Sequence, residues 1–150
     1  METISFAVPL PPTALRRNSQ TANHHYRAKL VREYQEEVWC RFWAHGDGAV
    51  LDGFPEHYLV RTMVAGVVIP GAPWERVKVT LVWKHHRAGP DQDNALASCK
   101  ALIDVLHTRG QRPLGIFRDD SADCMTVEMR TEKVRSKADE GVIVEVERIA

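Results

Sequence analysis

Two periods alternate along the chain. Thr3 to Val8 has strand propensity and stops at Pro9-Leu10-Pro11-Pro12, where backbone donors are lost and the chain must run extended. From His25 to Trp43, Tyr26, Leu30, Tyr34, Val38 and Phe42 recur every fourth residue, joined by Val31 and Trp39, which predicts an amphipathic helix whose stripe faces a core. Gly46, Gly48 and Gly53 mark a loop, and Glu56 to Val68 fits a helix through Leu59, Met63 and Val67 although its β-branched residues also suit a strand. After Pro70-Gly71-Ala72-Pro73, the run Val77 to Trp83 predicts a strand. Leu96, Cys99, Leu102, Ile103 and Leu106 form a second helical stripe, and Met125 to Arg130 and Val142 to Glu147 predict two last strands joined by a charged turn. Strand, helix, helix, strand, helix, strand, strand is the order of an α/β (α+β) domain, a small mixed β-sheet flanked by helices. At 150 residues, one domain spanning 1–150 is expected, with 44–75 as its variable part.

Charge refines this picture. Twenty basic residues balance twenty acidic ones, which argues against a generic nucleic-acid coat protein. The basic residues are nevertheless grouped, at Arg16, Arg17, Arg27, Lys29 and Arg32 and again at Lys84, Arg87, Lys100, Arg109, Arg112 and Arg118. Cys40, Cys99 and Cys124 have neither disulfide-framework nor zinc-ribbon spacing and read as reduced thiols, and the pairs His24-His25 and His85-His86 have no zinc-like partners. Without an apolar run of eighteen residues or a signal-peptide pattern, a cytoplasmic protein with no membrane partner is expected.

The chemistry concentrates in acids. Asp91 and Asp93 stand two apart between a strand exit and a helix start, so both carboxylates can reach one point. Lys100 follows Asp93 by two helical turns on the same face, and Asp120, supported by Asp119, comes from the loop after the helix. Two or three carboxylates with a cation suit magnesium, which takes oxygen ligands and polarises a phosphoryl oxygen. The same residues have plain structural readings: Asp93 as a helix N-cap, Asp91 as a cap or turn residue, Asp119-Asp120-Ser121 as a turn, Lys100 as an ion-pair partner of Asp104.

Three strings narrow the choice: Pro90-Asp91-Gln92-Asp93-Asn94-Ala95-Leu96, Lys100-Ala101-Leu102-Ile103-Asp104-Val105-Leu106, and Gly115-Ile116-Phe117-Arg118-Asp119-Asp120-Ser121. Together with the opening Pro9-Leu10-Pro11-Pro12-Thr13 and Asn18, they resemble the RusA-type Holliday junction resolvases of phages and prophages. The resemblance implies a RusA-like fold, metal-binding catalytic aspartates at Asp91, Asp93 and Asp120, a catalytic lysine at Lys100, and motif positions at Asn94 and Asp119. It further implies a homodimer that nicks four-way junctions in pairs, using Mg2+ or Mn2+ in its place. Arg16, Arg17, Lys84, His85, His86 and Arg87 are expected phosphate contacts by charge and placement. Three rivals stay in view: a flap or other branched-DNA nuclease, a branched-DNA-binding protein without turnover, and a small-molecule enzyme or interaction module with fortuitous acids.

Overall fold

The computed structural model describes residues 2–16, 24–43, 50–53, 69, 71–108 and 113–149. Five strands form one mixed sheet, β1 (Thr3–Val8), β2 (Val50–Asp52), β3 (Val77–His85), β4 (Met125–Lys133) and β5 (Gly141–Arg148), in the order β2-β1-β5-β3-β4. Only β3 and β4 run parallel, from Val77 opposite Met125 to His85 opposite Lys133. The other pairings are antiparallel. Among the described residues there are three α-helices, α1 (His24–Trp43), α2 (Gln92–Ser98) and α3 (Lys100–Leu106). The fold is the expected α+β domain with a mixed sheet, and among the described residues no helix is long and apolar enough to cross a membrane.

Strand alternation decides which side is core. Val77, Val79, Leu81 and Trp83 of β3 stand in register with Val146, Val144 and Val142 of β5, and Ile4, Phe6 and Val8 of β1 continue the row; all are buried. The opposite face carries Thr3, Ser5, Glu145, Glu147, Lys78 and Lys84, a polar surface on which Lys78 Nζ meets Glu128 at 3.3 Å. On that face the Lys78 and Arg130 side chains hold the Glu128 carboxyl below its ordinary range.

α1 buries Tyr34, Val38 and Phe42, and Phe42 meets Phe6 edge-on with centroids 5.3 Å apart. Tyr26 and Trp39, read with that stripe from the sequence, are exposed instead. Three side-chain bonds fix the helix in place: Arg27 Nη1 donates to Ala14 O at 2.9 Å, Tyr34 Oη to Pro9 O at 2.8 Å, and Gln35 Nε2 to Ala101 O at 3.2 Å. Burial, with the Cys99 sulfur nearby, pushes the Tyr34 phenol well above its usual range. The stripe from Leu96 to Leu106 is one helical path with a pinch at Cys99. Cys99 N donates to Ala95 O at 3.2 Å and Ile103 N to Cys99 O at 3.0 Å, so the turns connect across the break. The helix expected over Glu56 to Val68 lies outside the described residues, as does Arg17.

All three cysteines are free, Cys40 exposed, Cys124 half-buried and Cys99 buried, its thiol pushed up to about 12 by burial. Iodoacetamide at neutral pH is therefore expected to label Cys40 first and to leave Cys99 unlabelled until denaturant is added. Mass spectrometry of the labelled peptides reads the order; early labelling of Cys99 contradicts the packing of α2 and α3 on the sheet.

Candidate functional site

β3, α2, α3 and β4 form a crossover: the chain leaves one end of β3, returns along the helices, and re-enters at the other end through β4. Acids of the second half therefore fall into two groups. At the exit of β3, Asp91 is the N-cap of α2, its Oδ1 accepting from Asn94 N–H at 2.8 Å. Asp93 lies one residue into the first turn, so the capping role expected of it belongs to Asp91. Both are exposed, and Lys100 opens α3 two turns further along, also exposed.

The second group forms at the entry to β4. Here 105–108 and 114–118 are clamped by backbone bonds, Leu114 N to Val105 O at 2.7 Å, Ile116 N to Leu106 O at 2.9 Å and Thr108 N to Phe117 O at 3.1 Å. Gly115, at φ 69°, supplies the left-handed turn that lets Ile116 and Phe117 fold back beside the helix end. Trp74 ties the clamp to the sheet: its N–H donates to Ile116 O at 2.8 Å and its carbonyl accepts from Arg118 N at 3.1 Å.

Within this clamp three ligand-type side chains converge. His107 is 4% exposed, its ring tilted against Phe117. Its Nε2 lies 3.5 Å from Asp104 Oδ1 and 4.0 Å from Asp120 Oδ2, and ligand atoms of the three residues lie within 4.8 Å of one another. Donors about 2.1 Å from a shared cation are roughly 3.0 to 3.4 Å apart at tetrahedral or octahedral angles, so small side-chain movements suffice to close on an ion. Imidazole beside two carboxylates suits manganese, zinc or a related ion better than an all-oxygen set does, while Mg2+ prefers oxygen throughout.

Asp120 is thus the one member of the expected metal set that joins this cluster; Asp91 and Asp93 do not. β3 has nine residues, about 26 Å at about 3.3 Å each, and separates the turn holding Asp91 from the loop holding Asp120. Along the helices Asp93 and Asp104 are roughly 16 Å apart at about 1.5 Å per residue. Among the described residues the group of three that could share an ion is Asp104, His107 and Asp120, not Asp91, Asp93 and Asp120. Asp104 faces His107, not Lys100 as the ion-pair reading had it. Asp119 Oδ1 accepts from Asp120 N–H at 2.8 Å, the supporting contact expected of it. Sequence reasoning missed Asp104 and His107 as ligands, although Asp-x-x-His at a helix end, one turn apart, was there to be read.

The expected phosphate contacts also divide. Arg16, His85, His86 and Arg87 line a cavity of about 500 Å³ at the β3 exit, with Lys137 joining them. Lys84 alternates to the open face of the sheet, away from that cavity, because its neighbours Trp83 and His85 point toward the helices.

No protein-family model, curated protein or solved structure matches the chain.

Proposed function

We propose that the chain is a divalent-metal-dependent endodeoxyribonuclease of the junction-resolving type, cutting four-way DNA junctions in recombination and repair in the cytoplasm, as a homodimer. The convergence of Asp120, the last aspartate of the resolvase-like strings, with Asp104 and His107 carries this reading. A divalent ion held there supplies Lewis-acid polarisation of a phosphoryl oxygen. The chain's own residues do the rest: the clamp holds His107 against Phe117, Asp119 fixes the Asp120 backbone, and the cations at the far end of β3 take the phosphates of the same arm. The two ends of β3 are about 26 Å apart at about 3.3 Å per residue, a length that one duplex arm exceeds. Two-fold symmetry in the dimer then matches the symmetry of the substrate. The imidazole implies that Mn2+ supports cutting at least as well as Mg2+.

Incubation of the purified chain with a synthetic four-way junction, a flap and a linear duplex tests this. Paired nicks in the junction alone, dependent on Mg2+ or Mn2+ and abolished by EDTA, are expected. Equal cutting of flaps withdraws the resolvase label and leaves a branched-DNA nuclease. The separation of Asp91 and Asp93 from Asp120 favours a second reading, a branched-DNA-binding protein without turnover. Tight junction binding with no cleavage in either metal decides for it.

A further inference from the structure

We infer that the cavity at the β3 exit is a nucleotide-sized subsite that takes one unpaired nucleotide of a DNA strand, its base on Arg16 and its phosphate toward Arg87 and Lys137. The inference rests on the DNA-acting reading above, and not on catalysis.

Size comes first. About 500 Å³ falls within the range of small-molecule sites, roughly 300 to 1,000 Å³, and exceeds what one phosphate fills. The stacking surface is already built. Arg16 lies over the Trp83 ring, 5.4 Å to its centroid, and its Nε donates to Pro11 O at 3.2 Å, so the guanidinium is held from two directions. Trp83 is only 1% exposed, which leaves the Arg16 plane as the surface a base meets. Planar guanidinium stacks on bases, and a side chain fixed beforehand loses little entropy on binding.

The polar wall is equally constrained. His85 Nδ1 bonds to Arg87 O; a carbonyl only accepts, so the ring proton sits on Nδ1 and Nε2 is left for another partner. Gly89 packs flat on that ring, where an added Cβ would stand 2.7 Å from it. His86 N–H donates to Glu140 Oε2 at 3.4 Å, while its buried Nδ1 has no hydrogen-bond partner among the described residues. Arg16, Arg87 and Lys137 outnumber the single carboxylate of Glu140, which gives the cavity its preference for an anion.

Paired bases present neither face, because stacking covers both. An unpaired nucleotide at a branch point enters without the few kcal/mol that unstacking costs in a duplex.

Isothermal titration calorimetry of the whole chain in EDTA, with thymidine 5′-monophosphate, thymidine and orthophosphate, tests the subsite. Saturable binding of the monophosphate is expected, weakened about tenfold by Arg16→Gln and by Lys137→Gln, given stacking of about 1 to 3 kcal/mol per base. Lys29→Gln, on the outer surface of α1, leaves it unchanged. Orthophosphate binding falls with Lys137→Gln and not with Arg16→Gln. A short single-stranded oligonucleotide displaces the monophosphate, and blunt duplex does not. No saturable monophosphate binding, an affinity in both cavity variants unchanged from that of the unsubstituted chain, or no displacement by the single strand overturns the inference. Cutting of junctions without nucleotide binding removes the subsite and leaves the nuclease reading intact; nucleotide binding without cutting does the reverse.

Discussion

Asp120→Asn is expected to slow metal-dependent junction nicking by about a thousandfold while leaving the fold intact. The amide keeps the shape of the carboxylate and removes its charge, so the loss falls on the ion and on the several kcal/mol of charge stabilisation it brings, each 1.36 kcal/mol being about tenfold in rate. Asp120 is half-exposed, with 46% of its side chain open. Asp93→Asn, at the exposed start of α2 and outside the cluster, is expected to cost less than about tenfold. Single-turnover nicking of the same junction by both variants is the comparison to make. Full activity in Asp120→Asn with loss in Asp93→Asn moves the ion to the acidic turn and reduces Asp104, His107 and Asp120 to a structural cluster.

The second large effect concerns stability. Trp83→Ala is expected to destabilise the domain by about 3 to 5 kcal/mol, the usual cost of emptying a large aromatic site in a packed interior. Trp83 sits on β3, between β5 and β4, 1% exposed, opposite Val142 of β5 and beneath Arg16. Against a total of about 5 to 15 kcal/mol for a domain of this kind, that is about a fifth or more. Trp39→Ala, on the outer face of α1 at 36% exposure, is expected to change stability by less than about 1 kcal/mol. Urea titrations of the two variants read the contrast directly; equal midpoints contradict the packing.

Much of this fold is legible residue by residue. Four-residue spacing places α1, β-branched alternation places β3, and the Pro9–Pro12 stretch ends β1, because each depends on neighbours along the chain. Sheet order does not. Nothing local in Met125–Lys133 or Gly141–Arg148 says that they fail to pair with each other, or that β5 enters between β1 and β3. The site divides the same way. Asp91 as a cap and the cations around His85 follow from turn and charge patterns, whereas the company Asp120 keeps depends on which end of β3 the crossover returns to. Asp104 was hidden because it occupies the polar side of a good helical stripe, where an acid ordinarily faces water or pairs with Lys100. His107 stands one turn after Asp104, but that spacing alone does not say that the ring is buried beside Phe117 and within reach of Asp120, which only the clamp brings about.

The place of β5 also bears on how the molecule comes into being. Synthesis delivers β1, then β3 and β4, before the strand that lies between β1 and β3. Until Gly141–Arg148 has emerged, the nascent chain holds two half-sheets with their inner edges open, and long-range closure of this sort is slow. Closure of the sheet therefore waits on its last strand in sequence, which pairs with β1 on one edge and β3 on the other.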